Sequence, residues 1–473
     1  MSSKIKNIKL IVKLIILLSF IFIFVNITQA IFAFSILSNK EKSFCDATLN
    51  EDFEDNKIIV VLKNNTLKNL RNYTPQDFSE VKCVKVINLT QSITDIIINK
   101  LQSNKTVNEE KIKNEIYEEV LIDVDKFHVT LSLILDLNSK ENVLKCIKLL
   151  ELRNDVFSAS PNYITQIQGF EEVPSLEEVD FWNMKGEYGI DLQFANNISG
   201  EGSTVKVAIL DTGIDANHPA FTNVLSEHGN KSFLMLEETS LERNKVEDND
   251  GHGTHVAGII AAKAQTNGIK GICDNVQLYS YQVISSSGGL VDAAIMAINV
   301  AAREKIPIIN YSIYGWENKD SLKNAIEAYT GLFVCAAGNQ GVDLDNKDIN
   351  NLSDIRKYPS VYESANILSV GATKSDGTKA EIEDWGGKVM ASNYGKDSVD
   401  IFAPGTDIYS TTSVAKGSYI KMNGTSMAAP HVTGVAALIK SIVPNINVRD
   451  LKDAIFLKIQ VYLRYVFQNM FRK

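Results

Sequence analysis

The stretch NGTSMAAPH, residues 423–431, reads as a tight turn that runs into a buried helix. Gly424 relieves steric crowding before Ser426, and the mostly apolar run 432–441 predicts that the helix continues. Pro430 is compatible with this helix only in its first turn, where the missing N–H is not needed. Ser426 then lies beside free backbone N–H groups at the positive end of a helix dipole. This position suits a nucleophile whose product is an oxyanion, although N-capping serines are commoner.

Three further polar residues stand next to predicted strands or helices. Asp211 directly follows the β-branched run 205–210, which predicts a strand covered on both faces. His252 lies between two glycines at the start of a predicted helix, and Asn339 follows an apolar strand. Because ligand sites in parallel sheets lie at the carboxyl ends of strands, these three residues and Ser426 are expected to share one site.

Predicted strands and helices alternate from residue 204 onward, which is typical of an α/β fold with a parallel sheet and helices on both faces. The predicted elements are helices at 252–263, 291–303, 319–329 and after 426, and strands at 205–210, 277–283, 306–311, 332–336 and 367–371. Upstream, strands at 57–63, 127–137 and 156–164 flank helical patterns at 92–120 and 138–153. They predict a small α+β domain that follows a polar linker at 40–56.

Composition excludes several classes of protein. With 473 residues, 45% hydrophobic and 22% charged, the chain is of ordinary globular character and long enough for several domains. A net charge of −9 argues against a general nucleic-acid binder. The five cysteines are widely spaced without a CxxC pair, so neither a structural metal site nor a disulfide framework is expected.

The N-terminal segment carries a targeting pattern. Residues 1–30 combine several lysines, an apolar run at 14–25 and small residues near position 30, as in a cleaved secretory signal. The apolar character extends over 14–37, which is also long enough for a retained membrane anchor. The sequence therefore predicts a secreted or extracellular protein, with anchoring in a membrane as the alternative.

Four motifs together resemble the subtilisin-like serine proteases, the subtilases. They are DTGID at 211–215, GHGTHVAG at 251–258, AAGN at 336–339 and GTSMAAPH at 424–431, in the order Asp, His, Ser that this family shares. The resemblance implies that Ser426 attacks a peptide carbonyl, that His252 transfers the proton and that Asp211 orients the histidine. It also implies that Asn339 and the Ser426 backbone N–H hold the oxyanion.

The targeting pattern and the resemblance together imply a division of the chain. They predict a signal at 1–30 or an anchor at 14–37, a propeptide-like inhibitor domain at 40–165, and a linker and surface wrap at 166–203. The catalytic domain is predicted at 204–457, and an atypical tail at 458–473. The tail is apolar, aromatic and basic. This composition is compatible with a membrane-surface helix, with a replacement closing helix or with an altered terminus.

Substrate binding is implied at two edges that pair with an extended peptide and at the wall of a specificity pocket. The residues are Ser286, Gly288 and Gly289, then Ser312, Ile313, Tyr314 and Gly315, and finally Ala336, Ala337 and Gly338. Tyr314 stands where the family usually has glycine, which predicts a narrowed pocket or a shifted loop.

No cofactor is needed for this chemistry, and no metal site is predicted. His255 is interpreted as a packing residue of its helix, since a metal site at the histidine pair would need a third ligand. Ala220 replaces an aspartate that often binds calcium in the family, and the loop at 265–271 is short, so the usual calcium site is expected to be degraded. The acidic pairs at 248/250 and 343/345 are expected to be solvated loops rather than ion sites.

Two classes of function follow from these observations. The first is an exported endopeptidase made as a zymogen with its own propeptide as inhibitor. It would act on peptide or protein substrates, either in general proteolysis or in precursor processing, as in the lantibiotic leader peptidases. The alternative is a non-catalytic pseudoprotease that binds or regulates partners.

Overall fold

The computed structural model describes residues 44–63, 70–103, 109–165, 170–172, 181–185, 187–190, 202–234, 246–263, 269–315, 320–346, 357–383 and 389–456. The predicted signal or anchor and the tail at 458–473 lie outside these residues, as does most of the linker at 166–203. No helix within the described ranges is long and apolar enough to cross a membrane.

The N-terminal domain is the predicted α+β unit. Its elements are β1 (Phe53–Leu62), β2 (Cys83–Asn88), α1 (Gln91–Ser103), α2 (Glu109–Glu119), β3 (Thr130–Leu135), α3 (Lys140–Leu150) and β4 (Val156–Thr165). The strands pair antiparallel in the order β2-β3-β1-β4. Residues 53–56 belong to β1, so the predicted polar linker ends earlier than residue 56.

The α/β domain is built on a seven-stranded sheet. Its strands are β6 (Val205–Asp211), β7 (Leu225–Ser232), β8 (Val276–Gln282), β11 (Ile308–Tyr311), β12 (Leu332–Ala336), β13 (Ile367–Thr373) and β16 (Ile401–Pro404). They lie in the order β16-β13-β12-β11-β6-β8-β7, and every neighbouring pair is parallel. The longer helices are α5 (His252–Ala261), α6 (Val291–Arg303), α7 (Asp320–Ala328) and α8 (Thr425–Ile442), after a short α4 (Trp182–Lys185).

Short antiparallel strands complete the domain. They are β5 (Phe170–Glu172), β9 (Ile284–Ser285), β10 (Gly288–Leu290), β14 (Glu381–Glu383), β15 (Val389–Ala391), β17 (Ile408–Thr411) and β18 (Tyr419–Asn423).

Successive residues of the central strands point to opposite faces of the sheet and enter different cores. Ile308 packs in the cluster that contains α5 and α8, whereas Ile309 packs in the cluster that contains α6, α7 and the N-terminal domain. Both side chains are fully buried. The sheet is therefore covered on both faces, as the continuous apolar strands predict, and the α/β fold class is confirmed.

Pro430 is where the predicted helix differs most from the observed one. Helix α8 begins at Thr425, so Pro430 lies in its second turn and not in its first. A proline there leaves the carbonyl four residues earlier, that of Ser426, without its helical donor. The Ser312 hydroxyl donates to this carbonyl at 2.9 Å. The side chain of a neighbouring loop thus replaces the missing hydrogen bond.

The two domains share one sheet. Strand β4 pairs antiparallel with β10, in the register Ile164 to Leu290 and Thr165 to Gly289, and β10 pairs in turn with β9. The apolar core of the N-terminal domain also continues without a break into the surface of α6 and α7. The last strand of the first domain therefore lies along an edge of the second.

A buried acid lies at this domain interface. Asp292, in the first turn of α6, is fully buried near Lys57 and Glu54 of β1 and Asn162 of β4. Neither carboxylate oxygen has a hydrogen bond of ordinary geometry within the described residues. Burial raises the pKa of Asp292 to about 6, because it outweighs the attraction of Lys57.

Replacing Asp292 by asparagine is expected to stabilise the chain at neutral pH. The protonated carboxyl is the form that folding favours, so its stabilising effect is complete below about pH 4 and is lost as pH rises to about 6. A rise of about two pKa units corresponds to on the order of 3 kcal/mol. Urea unfolding of Asp292→Asn in a Ser426→Ala background, compared with that background, should show a gain that is near zero at pH 4 and constant above pH 7.

Asp320→Asn is the matched control, since Asp320 occupies the first turn of α7 but is only partly buried. It should give no gain of comparable size at any pH. An Asp292→Asn gain that does not change with pH would contradict the burial argument.

Candidate active site

Asp211 and His252 form a buried pair at the carboxyl end of β6. The distance from Asp211 Oδ1 to His252 Nδ1 is 2.7 Å, and the two side chains are almost completely buried. The Thr212 backbone N–H donates to the same Oδ1 at 2.8 Å. Burial alone lowers the pKa of His252, but the charge and hydrogen bond of Asp211 bring it above its usual value. His252 is therefore oriented by a carboxylate that also favours its protonated form.

The start of α5 fixes His252 through the glycines on each side of it. Gly251 has a φ of 92°, which favours glycine, and a Cβ there would collide with the Thr412 hydroxyl. A Cβ on Gly253 would collide with the carbonyl of Gly213. The GHG sequence is thus explained by a positive φ and a close side-chain hydroxyl at Gly251, and by a close backbone carbonyl at Gly253.

Asp248 also holds this helix start, which corrects its interpretation as part of a solvated loop. It is 4% exposed and accepts hydrogen bonds from the backbone N–H groups of Gly251 and Thr254 at 2.8 and 2.9 Å. These are donors that a helix start leaves without partners, and a buried carboxylate satisfies two of them. The signal in the sequence for this role of Asp248 was its position three residues before Gly251, at the start of a predicted helix.

Ser426 occupies the second position of α8 and is buried. Its hydroxyl donates to the Ser312 carbonyl at 3.1 Å. His252 Nε2 is buried and has no hydrogen-bond partner among the described residues. The expected hydrogen bond between serine and histidine is therefore replaced in this structure by one between Ser426 and Ser312.

Asn339 follows β12 and reaches the turn before Ser426. Its Oδ1 accepts from the backbone N–H and the hydroxyl of Thr425, at 2.8 and 2.9 Å. Gly424 has a φ of 137°, and a Cβ there would come within 3.0 Å of Asn339 Nδ2. The Thr425 hydroxyl also accepts from the Gly338 N–H at 3.0 Å. Thr425, which lies within the GTSMAAPH motif but was not predicted to have a role of its own, thus joins the asparagine loop to the serine turn.

The predicted substrate-binding residues lie on three segments, two of which contact the serine turn: Ser312 bonds to Ser426, and Gly338 bonds to Thr425. Ser286 is exposed in the turn between β9 and β10, and Gly288 and Gly289 lie on β10. Ser312 contacts Ser426 directly, Ile313 and Tyr314 are buried, and Gly315 pairs with Tyr358. Ala336 ends β12, and the carbonyl groups of Ala337 and Gly338 are held by Asn393.

The remaining histidines of the two motifs have structural contacts. His255 Nε2 lies 2.9 Å and 3.2 Å from the carbonyls of Ile408 and Ile420, so it joins α5 to the hairpin β17–β18. His431 Nδ1 lies 2.8 Å from the Met427 carbonyl, and Nε2 lies 2.8 Å from Asn183 of α4. No group of three or more His, Cys, Asp or Glu side chains within the described ranges is placed to hold a metal ion.

Known proteins resemble this chain over its C-terminal half. A family model described as the Subtilase family matches residues 202–468. Subtilisin DY of Bacillus licheniformis is 35% identical over 273 residues, which are 56% of this chain and 88% of that protein. An intracellular serine protease of Paenibacillus polymyxa is 38% identical over 262 residues, covering 54% of this chain and 72% of that protein.

The likeness to a solved structure extends beyond the residues that the family model matches. The epidermin leader peptide processing serine protease of Staphylococcus aureus has a TM-score of 0.57 and 22% identity, and covers 85% of this chain and 92% of that chain. Because residues 202–473 are little more than half of the sequence, the shared fold includes part of the N-terminal domain. The family model covers more than half of the chain, and the chain therefore belongs to the subtilase family of serine endopeptidases, which act on peptide or protein substrates.

Proposed function

We propose that Asp211, His252 and Ser426 are the catalytic triad of this endopeptidase. The proposal rests mainly on His252, whose Nδ1 is 2.7 Å from a buried carboxylate while its Nε2 has no partner among the described residues. A histidine held in this way has one basic nitrogen available for proton transfer. Helix α8, which carries Ser426, packs against α5, which carries His252.

The reaction begins with rotation of the Ser426 hydroxyl away from the Ser312 carbonyl and towards His252. Its oxygen attacks the peptide carbonyl while His252 Nε2 takes its proton. The C–N bond then breaks, and the imidazolium gives the proton to the leaving amine. Water, activated by the same nitrogen, hydrolyses the acyl-enzyme. Asp211 stays ionised and stabilises the imidazolium.

The negative charge of the tetrahedral intermediate is assigned to Asn339 and the Ser426 backbone N–H. The Asn339 amide is oriented because its oxygen is bound by Thr425. The Asn339 Nδ2 therefore lies on the side of Gly424. Because Gly424 has no Cβ, nothing at this position obstructs the approach of the substrate oxygen to Nδ2. A donor held in place before the reaction costs no reorganisation when charge develops.

We also propose that the N-terminal domain, at 40–165, is an inhibitory propeptide that the enzyme removes. Ile164 and Thr165 pair with Leu290 and Gly289, on the edge assigned to substrate. Strand β5 pairs antiparallel with β18, the strand that leads directly to Gly424 and Ser426. These two pairings support a path of the chain along both sides of the nucleophile, and we propose cleavage between Thr165 and Phe170.

The wild-type protein is expected to react with a fluorophosphonate probe and to lose its propeptide, whereas Ser426→Ala should do neither. The reason is that both reactions need the same serine oxygen. Labelling on a gel and N-terminal sequencing of each purified protein measure the two outcomes. The residue that begins the mature chain should lie between positions 166 and 170.

Ser441→Ala is the matched control, because Ser441 is a buried serine of the same helix whose hydroxyl donates to the Leu438 carbonyl. It should label and process like the wild type. A well-folded wild type that does not label would support the non-catalytic binding protein instead. A Ser426→Ala protein that still loses residues 31–165 when purified alone would refute self-processing.

The proposal also covers the export of the protein and the range of its substrates. Residues 1–30 would direct the zymogen out of the cell, with a retained anchor at 14–37 as the alternative. N-terminal sequencing of the Ser426→Ala protein, which keeps its propeptide, separates the two. The chemistry uses side chains and backbone groups of the chain without a cofactor. Peptide-library profiling distinguishes general proteolysis from precursor processing: many cleaved sequences indicate the first, and a narrow set indicates the second.

A further inference from the structure

Tyr314 is a large buried side chain beside the nucleophile. It lies two residues after Ser312, whose carbonyl accepts from the Ser426 hydroxyl, and it is 3% exposed. Its hydroxyl accepts from Gln340 Nε2 at 2.6 Å. Gln340 follows Asn339 directly, so Tyr314 and Gln340 connect the two loops that flank Ser426.

Several contacts hold this connection, which we name the Tyr314–Gln340 bridge. Gln340 Oε1 accepts from the Asn339 backbone N–H and from Asn393 Nδ2, both at 3.1 Å. The ammonium of Lys357, itself fully buried, lies 6.0 Å from the centre of the Tyr314 ring. Displacing the ring would leave buried donors and acceptors unpaired, which is costly.

The substrate has to pass between the same loops. A peptide that pairs with β10, as Ile164 and Thr165 do, must bring one carbonyl carbon to the Ser426 oxygen and its oxygen to Asn339. The side chain of that residue, the one before the scissile bond, then points between the Ser312 loop and the Asn339 loop. The Tyr314–Gln340 bridge already fills space there.

We propose that Tyr314 restricts the residue before the scissile bond to small side chains such as glycine, alanine and serine. This inference rests on the proposed function, because it needs Ser426 as the nucleophile. A closed pocket excludes large side chains by steric overlap, and a pocket of this kind discriminates by about 10–200-fold for a modest difference in size. Tyr314 would therefore make the enzyme selective rather than broadly degradative.

The test compares kcat/KM for a peptide series that differs only at the residue before the scissile bond. The wild type is expected to cleave the alanine peptide at least tenfold better than the leucine or phenylalanine peptide. Tyr314→Gly should reverse or abolish this preference by opening the pocket. Tyr314→Phe, which keeps the ring and loses only the hydroxyl, should retain the preference for small residues.

Fluorophosphonate titration counts the active sites independently of the peptide side chain, and thermal unfolding shows whether each variant is folded. A wild type that labels but prefers large or basic residues overturns the inference, as does a folded, labelling Tyr314→Gly enzyme with an unchanged preference. A wild type that does not label overturns the catalytic assignment itself. The two failures are therefore distinguishable.

Discussion

Replacing Asp211 by asparagine is expected to lower kcat by about 10⁴-fold with little change in KM, as removal of the triad acid does in other serine proteases. Asp211 Oδ1 lies 2.7 Å from His252 Nδ1 and also accepts from the Thr212 N–H. An amide at this position has no negative charge to stabilise the imidazolium. Its NH₂ group can also turn towards the ring and favour the wrong tautomer. Steady-state kinetics on a peptide substrate measure the loss.

The pH profile gives an independent readout of the same substitution. In the wild type, activity is expected to fall as pH drops through the pKa of His252, which Asp211 raises against the effect of burial. Without the carboxylate the pKa of His252 decreases, so the acid limb of the profile should move to lower pH.

Asp215→Asn is the control, because this second acid of the DTGID motif binds the Asn217 and Val414 N–H groups at the surface. It should leave both kcat and the profile close to those of the wild type. An Asp211→Asn enzyme with more than a tenth of wild-type kcat would contradict the role assigned to the carboxylate.

Local patterns in the sequence predicted the elements that carry the site. Helix α6 and strand β12 have the predicted bounds, at 291–303 and 332–336, because each is mostly apolar and its burial decides its conformation. The hairpin β17–β18 was not predicted, since residues 408–423 contain many polar residues and little alternation. What stabilises this hairpin is remote in sequence: His255 reaches the carbonyls of Ile408 and Ile420.

Contacts between distant loops account for the other differences. The position of Pro430 in the second helical turn depends on the Ser312 hydroxyl, 118 residues earlier by the numbering. The burial of Asp248 depends on the loop at Thr212 and Gly213, which lies against it, and the pairing of β4 with β10 depends on docking of two domains. Propensity and periodicity describe neighbours along the chain, so they predict that polar residues stand at strand ends but not which partners they bind.

Replacing Asn339 by alanine is expected to lower kcat by about 10²–10³-fold, the magnitude measured in a subtilisin for loss of its oxyanion-hole asparagine. The amide acts on charge that exists only in the transition state, so KM should change little. Steady-state kinetics and the rate of fluorophosphonate labelling should both report the loss.

Asn339 has a second role that must be separated from the first. Its Oδ1 accepts from the N–H and the hydroxyl of Thr425, so alanine also removes two hydrogen bonds that hold the serine turn. Asn339→Asp keeps an acceptor for both bonds but has no NH₂ group and adds a negative charge. If the amide donor is what matters, the aspartate variant should recover thermal stability relative to alanine and should not recover kcat.

The opposite pattern would assign Asn339 a purely structural role. In that case Asn339→Asp would restore kcat together with stability, because the Thr425 bonds would be sufficient. Thr425→Ser offers a further check, since it retains the hydroxyl that binds both Asn339 and the Gly338 N–H. It should leave kcat within a few-fold of the wild type. A large fall in kcat on losing only the threonine methyl group would indicate that packing of the turn, rather than the asparagine amide, limits the reaction.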